Sequence, residues 1–256
     1  MEQRDRVAAP PAGGIMKNQA PAIRGLLFDK DGTLVAFNET WIPAFCEAAS
    51  RVARAAGQPD IADHLLREAG YDRSLDVFET DSMLASGTNR DIVRCWGTIL
   101  AETAPPDLED LISGVFRETS LDGLVATADM PALFDHLAGA GYHLGIATND
   151  DTELAELAAQ QLGIRDHLAF VCGSDGGFGG KPGPGMGEAF CRHTGLDPCE
   201  VAMIGDDAAA DAGMARAAGF GAAIGVLTGP ATRDQLEPWF DVVIDSVADL
   251  PEVLAA

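Results

Sequence analysis

The residues best suited to chemistry are two acidic side chains at the end of a short apolar run. Asp29 and Asp31 follow the segment that ends at Phe28, and Gly32 comes directly after them. Two carboxylates this close can divide the work of a nucleophile and an acid–base group, because mutual repulsion and burial raise the pKa of one of them. An aspartate after a strand is equally often only a turn former, so the pair alone does not decide between the two interpretations.

Further polar or charged side chains follow later apolar runs or open a helix. These are Thr148, Asn149, Lys181, Asp206, Asp207 and Asp211. Taken singly, each has a structural interpretation, since Thr and Asn cap helices and acidic residues are favoured in a first helical turn. Ligands of open α/β sheets bind beyond the carboxyl ends of the strands. Because these groups follow successive strands in order, we expect them to converge on one site with Asp29.

The order of the elements predicts the fold that would position these residues. One apolar run precedes Asp29, and from about residue 125 helices alternate with short apolar runs. This alternation is typical of a doubly wound parallel sheet, a Rossmann-like α/β fold. The stretch from about residue 59 to residue 120 is predicted to be helical, without a convincing strand. Asn38 is predicted to cap the first helix after the motif.

The same pattern predicts three regions. Residues 1–21, rich in proline, glycine and alanine, are predicted to be a disordered leader. Residues 22–37 and 122–256 are predicted to form one α/β core. Residues 38–121 are predicted to be a helical domain inserted after the first strand, so that the sheet is completed by the chain on both sides of the insertion.

Composition and charge restrict the possible functions. The chain has 256 residues, 47% of them hydrophobic, and a formal net charge of -23 with a pI near 4.3. So acidic a surface repels nucleic acid and anionic membranes, which we therefore exclude as partners. The five cysteines form no CxxC pair, which indicates reduced thiols in a cytoplasmic protein and no zinc site. An anionic substrate would need a bound cation or a few basic groups in its cleft.

Four segments, taken in order, carry a resemblance to a known family. FDKDGTL, IATND, GGKPGP and MIGDDAAAD resemble the motif set of the haloacid dehalogenase superfamily of phosphohydrolases. The helical insertion is similar to the small cap of that family called C1, and the subgroup it resembles is the phosphoglycolate-phosphatase-like one. The resemblance spans about residues 23 to 250. The first motif, FDKDGTL, is specific for this family. The threonine and lysine motifs are weak indicators singly and indicate the family only when they occur in this order.

The resemblance implies a role for each motif. Asp29 would attack phosphorus as a nucleophile, and Asp31 would act as acid and then as base. Mg²⁺ would be bound by Asp29, Asp206 and the backbone carbonyl of Asp31. The substrate's phosphate would be bound by the remaining motif residues, namely Gly32, Thr148, Asn149 and Lys181.

The acidic motif departs from the commonest spacing of the subgroup. Four residues separate Asp206 from Asp211, one more than is usual. The resemblance therefore implies that Asp207 or Asp211 supports the metal ligands, and it leaves open which of the two does so.

The predicted function is that of a Mg²⁺-dependent phosphatase, which hydrolyses a small phosphorylated metabolite through an aspartyl-phosphate. A candidate substrate is 2-phosphoglycolate. Its carboxylate could be bound by Arg73, Arg90 and Arg94, although each of them is also explained as a solvent-exposed charge on a helix.

Trp41 and Phe45 are predicted to lie in the core of the cap, with a place beside the substrate as the alternative. One alternative function is a mutase similar to β-phosphoglucomutase. Another is a non-catalytic, partner-binding protein. Such a protein would be expected to lack at least one of Asp29, Asp31, Lys181 and Asp206, and the sequence has all four.

Overall fold

The computed structural model describes residues 22–79 and 82–255, and the predicted leader at residues 1–21 lies outside the described residues. The strands are β1 (Gly25–Phe28), β2 (Tyr71–Asp72), β3 (Val77–Phe78), β4 (His143–Ala147), β5 (Leu168–Cys172), β6 (Val201–Gly205), β7 (Ala222–Val226) and β8 (Val242–Ile244). The helices are α1 (Phe37–Ala55), α2 (Ala62–Glu68), α3 (Met83–Ser86), α4 (Asn89–Leu100), α5 (Leu108–Asp122), α6 (Met130–Gly139), α7 (Thr152–Gln161), α8 (Gly185–Thr194), α9 (Asp211–Ala218), α10 (Arg233–Leu236) and α11 (Leu250–Leu254).

Six strands form one parallel sheet in the order β5-β4-β1-β6-β7-β8. Strands of such a sheet are covered on both faces and therefore appear in the sequence as continuous apolar runs. β1 fits this rule, because Leu26 and Phe28 pack with Phe134 of α6 on one face. Leu27 packs with Phe190 of α8 on the other face. The predicted doubly wound α/β fold is confirmed.

The register of the central strands places the polar motif residues at one edge of the sheet. Phe28 of β1 lies opposite Ile146 of β4 and opposite Ile204 of β6. Because all three strands are parallel, the residues that follow them emerge at the same edge. These residues are Asp29, Thr148 and Asp206.

Helices α1 to α5 share a hydrophobic cluster separate from those around the sheet, which Leu154 of α7 also joins. Trp96 of α4 is fully buried in it, and its Nε1 donates a hydrogen bond of 2.9 Å to the carbonyl oxygen of Leu65. We call α1 to α5, with β2 and β3, the helical region. In the described part of the chain, no helix is both long enough and apolar enough to cross a membrane.

The helical region contains a short hairpin that the sequence did not predict. β2 and β3 pair antiparallel. The Asp72 carboxylate accepts a hydrogen bond from the amide of Ser74 at 2.8 Å, and the Tyr71 hydroxyl donates to Asp76 at 2.7 Å. Strands of two residues are too short to produce an alternating pattern, so the prediction that this region has no strand was wrong.

The first helix begins one residue earlier than its predicted cap. α1 begins at Phe37, and Ala36 at the N-cap makes no side-chain hydrogen bond. Asn38 therefore lies within the first turn, and the prediction that it caps the helix was wrong. Phe37 is 4% exposed, so burial of its ring in the helical region stabilises this end of the helix in place of a cap.

Candidate active site

A cavity of about 60 Å³ lies between the carboxyl edge of the sheet and the helical region. On the sheet side it is lined by polar residues, namely Asp29, Asp31, Thr148, Asn149, Asp150, Lys181, Asp206 and Asp207. Aromatic and aliphatic side chains of the helical region form the opposite wall. Of the motif residues predicted for the site, Gly32 and Asp211 do not line the cavity.

Lys181 lines the cavity on the sheet side and supplies a fixed positive charge. Its Nζ lies 2.6 Å from Asp29 Oδ1 and 2.7 Å from Asp211 Oδ1, and its side chain is 2% exposed. Asn149 holds the Lys181 backbone, because it accepts from the Lys181 amide at 2.7 Å and donates to the Lys181 carbonyl at 3.2 Å. Burial by itself lowers the pKa of Lys181, but the two carboxylates outweigh burial and the pKa is raised. Lys181 therefore stays protonated near neutral pH.

Asp29, Asp206 and Asp211 form a buried acidic cluster. One carboxylate oxygen from each lies within 4.8 Å of the other two. Burial raises the pKa of Asp206 well above its usual range, and repulsion from Asp29 and Asp211 raises it further. Burial also raises the pKa of Asp211, to about 7, and that of Asp29, against the opposing effect of Lys181. Three oxygen ligands under such repulsion suit a hard divalent cation, which would relieve it.

Two glycines make room for the Asp206 carboxylate. A Cβ on Gly32 would lie 2.3 Å from Asp206 Oδ2, and a Cβ on Gly229 would lie 1.9 Å from the same atom. Gly32 has a φ of 79°, in the left-handed region, and its amide donates to the Val35 carbonyl at 2.7 Å. Thr33 Oγ1 donates to Asp206 Oδ1 at 3.1 Å. Gly32, which was predicted to contact substrate, therefore lies beneath Asp206 with its amide already bonded.

Asp207 and Asp211 occupy different environments. Asp207 Oδ1 accepts hydrogen bonds from the amides of Ala209 and Ala210 at 2.8 and 2.7 Å, which fixes the turn before α9. Asp211 is fully buried, pairs with Lys181 and accepts from the Asp207 amide at 3.0 Å. Of the two carboxylates that the sequence left open, that of Asp211 is the one in the acidic cluster.

Thr148 presents a hydroxyl to the cavity. The residue follows β4, is 2% exposed, and is fixed by a hydrogen bond of 3.0 Å from its amide to the Cys172 carbonyl. Its Oγ1 accepts from the Asp150 amide at 3.1 Å. Because Oγ1 accepts that hydrogen bond, its own proton is free to be donated elsewhere. A bound anion can receive it.

Sequence reasoning missed a network around Asp31. Lys30 Nζ lies 2.6 Å from Asp31 Oδ1 and 3.1 Å from Asp150 Oδ2, with its side chain 4% exposed. Trp41 Nε1 donates to the same oxygen of Asp31. Burial raises the pKa of Asp150 to about 6, against the opposing effect of Lys30. The available signal was a lysine inside the first motif of a chain that has few lysines.

Trp41 and Phe45 occupy both of the places considered for them. They are 4% and 2% exposed, and their rings stack with centroids 5.3 Å apart in the cluster of the helical region. Both side chains also line the cavity. The same rings therefore belong to the core of the helical region and to the wall of the cavity.

The three arginines considered for a substrate carboxylate lie elsewhere. Arg73 lies 3.4 Å from Asp63, and Arg94 pairs with Asp91 on the surface. Arg90 is exposed, and none of the three lines the cavity. The structure therefore does not bring them to the site.

The acidic cluster predicts how stability depends on pH and divalent cations. Asp211 has a pKa of about 7 in the folded protein against 3.8 in an exposed aspartate, so between these values the folded state holds more protons than the unfolded state. The metal-free protein should therefore lose stability as the pH rises from about 5 to about 8. Mg²⁺ should raise the melting temperature by a few degrees more at about pH 8 than at about pH 5, because about 1 kcal/mol shifts the melting temperature of a chain this size by roughly 2–4 °C.

Thermal unfolding in EDTA and in Mg²⁺, at matched ionic strength, measures this difference. An equal Mg²⁺ effect at both pH values would show that the cation does not bind the carboxylates of the acidic cluster.

Comparison with known proteins adds the family. The sequence model of a hydrolase family, described as haloacid dehalogenase-like hydrolase, matches residues 23–219. The phosphoglycolate phosphatase of Chromobacterium violaceum is 29% identical over 244 residues, which cover 91% of this chain and 96% of that protein. Among solved structures, a HAD phosphatase from Thermococcus onnurineus is 21% identical with a TM-score of 0.65, covering 91% of this chain and 98% of its own. The family match spans all residues of the cavity and of the acidic cluster, including Asp211.

Proposed function

We propose that this chain, which belongs to the haloacid dehalogenase-like hydrolase family, is a phosphatase that hydrolyses a phosphate monoester through an aspartyl-phosphate on Asp29. The phosphatase class agrees with the prediction from the sequence and with the name of the similar curated proteins. One observation carries the mechanism: the Asp29 carboxylate lies 2.6 Å from the ammonium of Lys181 and within the acidic cluster. A carboxylate held between a fixed cation and a cation-binding cluster is suited to attack an anionic phosphorus centre.

Mg²⁺ is the cofactor we propose. Asp29, Asp206 and the backbone carbonyl of Asp31 would hold it, and Asp211 would support them from its position beside Lys181. The residues fit this ion, because the cluster offers carboxylate oxygens and neither nitrogen nor sulfur. When bound, the ion neutralises negative charge on the phosphate and on the attacking carboxylate.

The reaction then has two steps on this chain's residues. Asp29 forms a bond to phosphorus, the bond from phosphorus to the ester oxygen breaks, and Asp31 donates a proton to the leaving alkoxide. In the second step, a water molecule attacks phosphorus, Asp31 accepts its proton, and the bond to Asp29 breaks to release phosphate. Lys30 and Trp41 hold the Asp31 carboxylate for both transfers, since both donate to its Oδ1.

Thr148 and Lys181 would hold the phosphate itself. The Thr148 hydroxyl lines the cavity, and Lys181 is fixed through its backbone by Asn149. Both donors are therefore oriented before substrate binds, which is the condition for strong stabilisation of developing charge. We also propose that the helical region is a cap domain, since it supplies the wall of the cavity opposite Asp29.

The alternatives are less well supported by the cavity. A mutase would need hydrogen-bond partners for several sugar hydroxyls, whereas the described wall of the helical region is mainly apolar. Asn89, which lines that wall, already donates to the Asp151 carboxylate at 2.9 Å. A non-catalytic protein would not need to keep Asp29, Asp31, Lys181 and Asp206 around one cavity.

Release of inorganic phosphate from a panel of phosphate monoesters tests the proposal. We expect turnover with Mg²⁺ and loss of at least about 99% of it in EDTA, because the uncompensated cluster would repel a dianionic phosphate. Restoring Mg²⁺ in excess of the chelator should restore activity, which is the control for damage by EDTA. Full activity in EDTA would refute the metal requirement, and absence of phosphate release from every ester would refute the phosphatase.

A further inference from the structure

The side of the cavity that faces a leaving group is apolar. Five large apolar side chains of the helical region form most of its wall, namely Phe37, Trp41, Phe45, Leu84 and Ile92, and Asn89 is the polar side chain beside them. Each of the five apolar residues is at most 4% exposed, so water reaches them only through the cavity. Because Asp29, Thr148 and Lys181 occupy the sheet side, a phosphate bound there would direct its ester group toward these side chains.

A second cavity, of about 340 Å³, adjoins the first. It shares Ala85, Asp206 and Asp207 with the first cavity. Its further lining is mainly apolar, with Phe78, Pro230, Ala231 and Trp239, and includes the uncharged polar residues Ser82 and Gln235 and the acidic Glu79. The ring of Phe78 contacts that of Phe37 at 5.3 Å and that of Phe45 at 6.5 Å between centroids. One aromatic cluster therefore contributes to the walls of both cavities, and a long leaving group has room to extend.

Positive charge is scarce around both cavities. Among the described residues that line them, Lys181 is the only lysine or arginine. It is held between Asp29 and Asp211, and nearby Lys30 is held between Asp31 and Asp150. Each lysine therefore already forms ion pairs with two carboxylates.

The arginine that contacts Trp239 of the second cavity does not change this. Arg216 stacks on the Trp239 ring at 4.9 Å and donates to the Trp239 carbonyl, but it is not among the residues that line the cavity. Glu79 and Asp207 add negative charge to the same lining.

From this lining we infer that the substrate is a phosphate monoester whose leaving group is uncharged and largely apolar, such as an aryl or alkyl alcohol. The inference rests on the proposed phosphatase activity and concerns only the group that leaves. A carboxylate on the leaving group would be desolvated against aromatic rings without a cation to pair with, which strongly disfavours its binding. An apolar group gains free energy at the same wall by leaving water.

This inference separates the chain from the named activity of its relatives. The similar curated proteins are phosphoglycolate phosphatases, with identities of 26–29%. Phosphoglycolate has a carboxylate on its leaving group, and the described lining of this chain offers that carboxylate no cation besides Lys181, which already pairs with Asp29 and Asp211. The two substrate classes can therefore be told apart by charge alone.

The experiment compares three esters in Mg²⁺: 2-phosphoglycolate, its neutral amide 2-phosphoglycolamide, and benzyl phosphate. The first two have nearly the same size and differ in the charge of the leaving group, with an amide NH2 in place of a carboxylate oxygen, and the third tests the apolar wall. We expect kcat/KM to be highest for benzyl phosphate and lowest for 2-phosphoglycolate, with roughly tenfold or more between the amide and the acid, as is usual when a buried charge lacks a partner. If 2-phosphoglycolate is hydrolysed as well as its amide, the inference is wrong while the phosphatase stands. If benzyl phosphate is not hydrolysed while another ester of the panel is, the inference is wrong and the phosphatase stands; if no ester of the panel releases phosphate, the phosphatase is wrong and the inference falls with it.

A matched pair of variants tests the cause. Ala85 lies in α3 and lines both cavities, so Ala85→Lys would add the missing cation, and Ala85→Met would add similar bulk without charge. We expect Ala85→Lys to raise the ratio of kcat/KM for 2-phosphoglycolate over its amide by roughly tenfold, because a partner for the carboxylate is then present. Ala85→Met should leave that ratio unchanged. An unchanged ratio in Ala85→Lys, or an equal rise in Ala85→Met, would show that absence of a cation does not set the preference.

Discussion

Asp29→Asn is expected to lower kcat by roughly 10⁴-fold or more, the scale seen when a covalent nucleophile is removed. The amide has the shape of the carboxylate but is a much weaker nucleophile, so no aspartyl-phosphate forms. The fold should survive, because Lys181 keeps its 2.7 Å contact with Asp211 and the amide relieves repulsion within the acidic cluster. Steady-state phosphate release and thermal unfolding of the same preparation measure both effects.

The control for Asp29→Asn is the same substitution at an exposed position. Asp166 is exposed, follows α7 and lies outside the four motifs, so Asp166→Asn should change neither kcat nor the melting temperature. Activity of Asp29→Asn within tenfold of the parent would rule out the covalent mechanism. Activity loss accompanied by a large drop in melting temperature would instead attribute the effect to unfolding.

Asp31→Asn is expected to lower kcat by about 10²–10⁴-fold with an alkyl phosphate, the range for loss of a general acid. The effect should be much smaller on formation of the aspartyl-phosphate from an activated aryl phosphate, because an aryloxide with a low pKa leaves without a proton. Asparagine keeps an Oδ1 that can accept from Lys30 and Trp41, so the side chain should remain in place. Burst kinetics with p-nitrophenyl phosphate and steady-state kinetics with butyl phosphate separate the two steps.

The leaving-group dependence of Asp31→Asn is the decisive comparison. Its control is Asp29→Asn, which removes the nucleophile and should abolish the reaction of both esters equally. If Asp31→Asn slows cleavage of aryl and alkyl esters by the same factor, Asp31 does not protonate the leaving group. The Lys30 contact would then have only a structural role.

The fold could be predicted because its signals are local. A short apolar run that ends in Asp29 and Asp31 predicts a buried strand followed by acidic groups, and alternation after about residue 125 predicts the parallel sheet. The predictions failed where a local signal was weak, as in the two-residue strands β2 and β3. They failed also at Asn38, where burial of Phe37 took the place of a cap.

The sequence predicted most of the polar residues that line the cavity, but only some of the contacts among them. The order of the motifs named Asp29, Lys181 and Asp206, and all three line one cavity. The sequence left open whether Asp207 or Asp211 lies at the centre. The choice depends on the turn before α9, which directs Asp207 to backbone amides and Asp211 to Lys181.

The sequence by itself determined the α/β class, the order of the motifs and the acidic residues at the strand ends, because each depends on neighbours along the chain. The tertiary structure decided which side chains meet. The hydrogen bond from Thr33 to Asp206 joins residues 173 positions apart, and the ion pair of Lys30 with Asp150 also joins two motifs. The aromatic wall opposite Asp29 depends on how the helical region packs over the sheet edge. Hydrophobic periodicity marks such residues as buried, but only the packing of the two regions determines that the same rings also line the cavity.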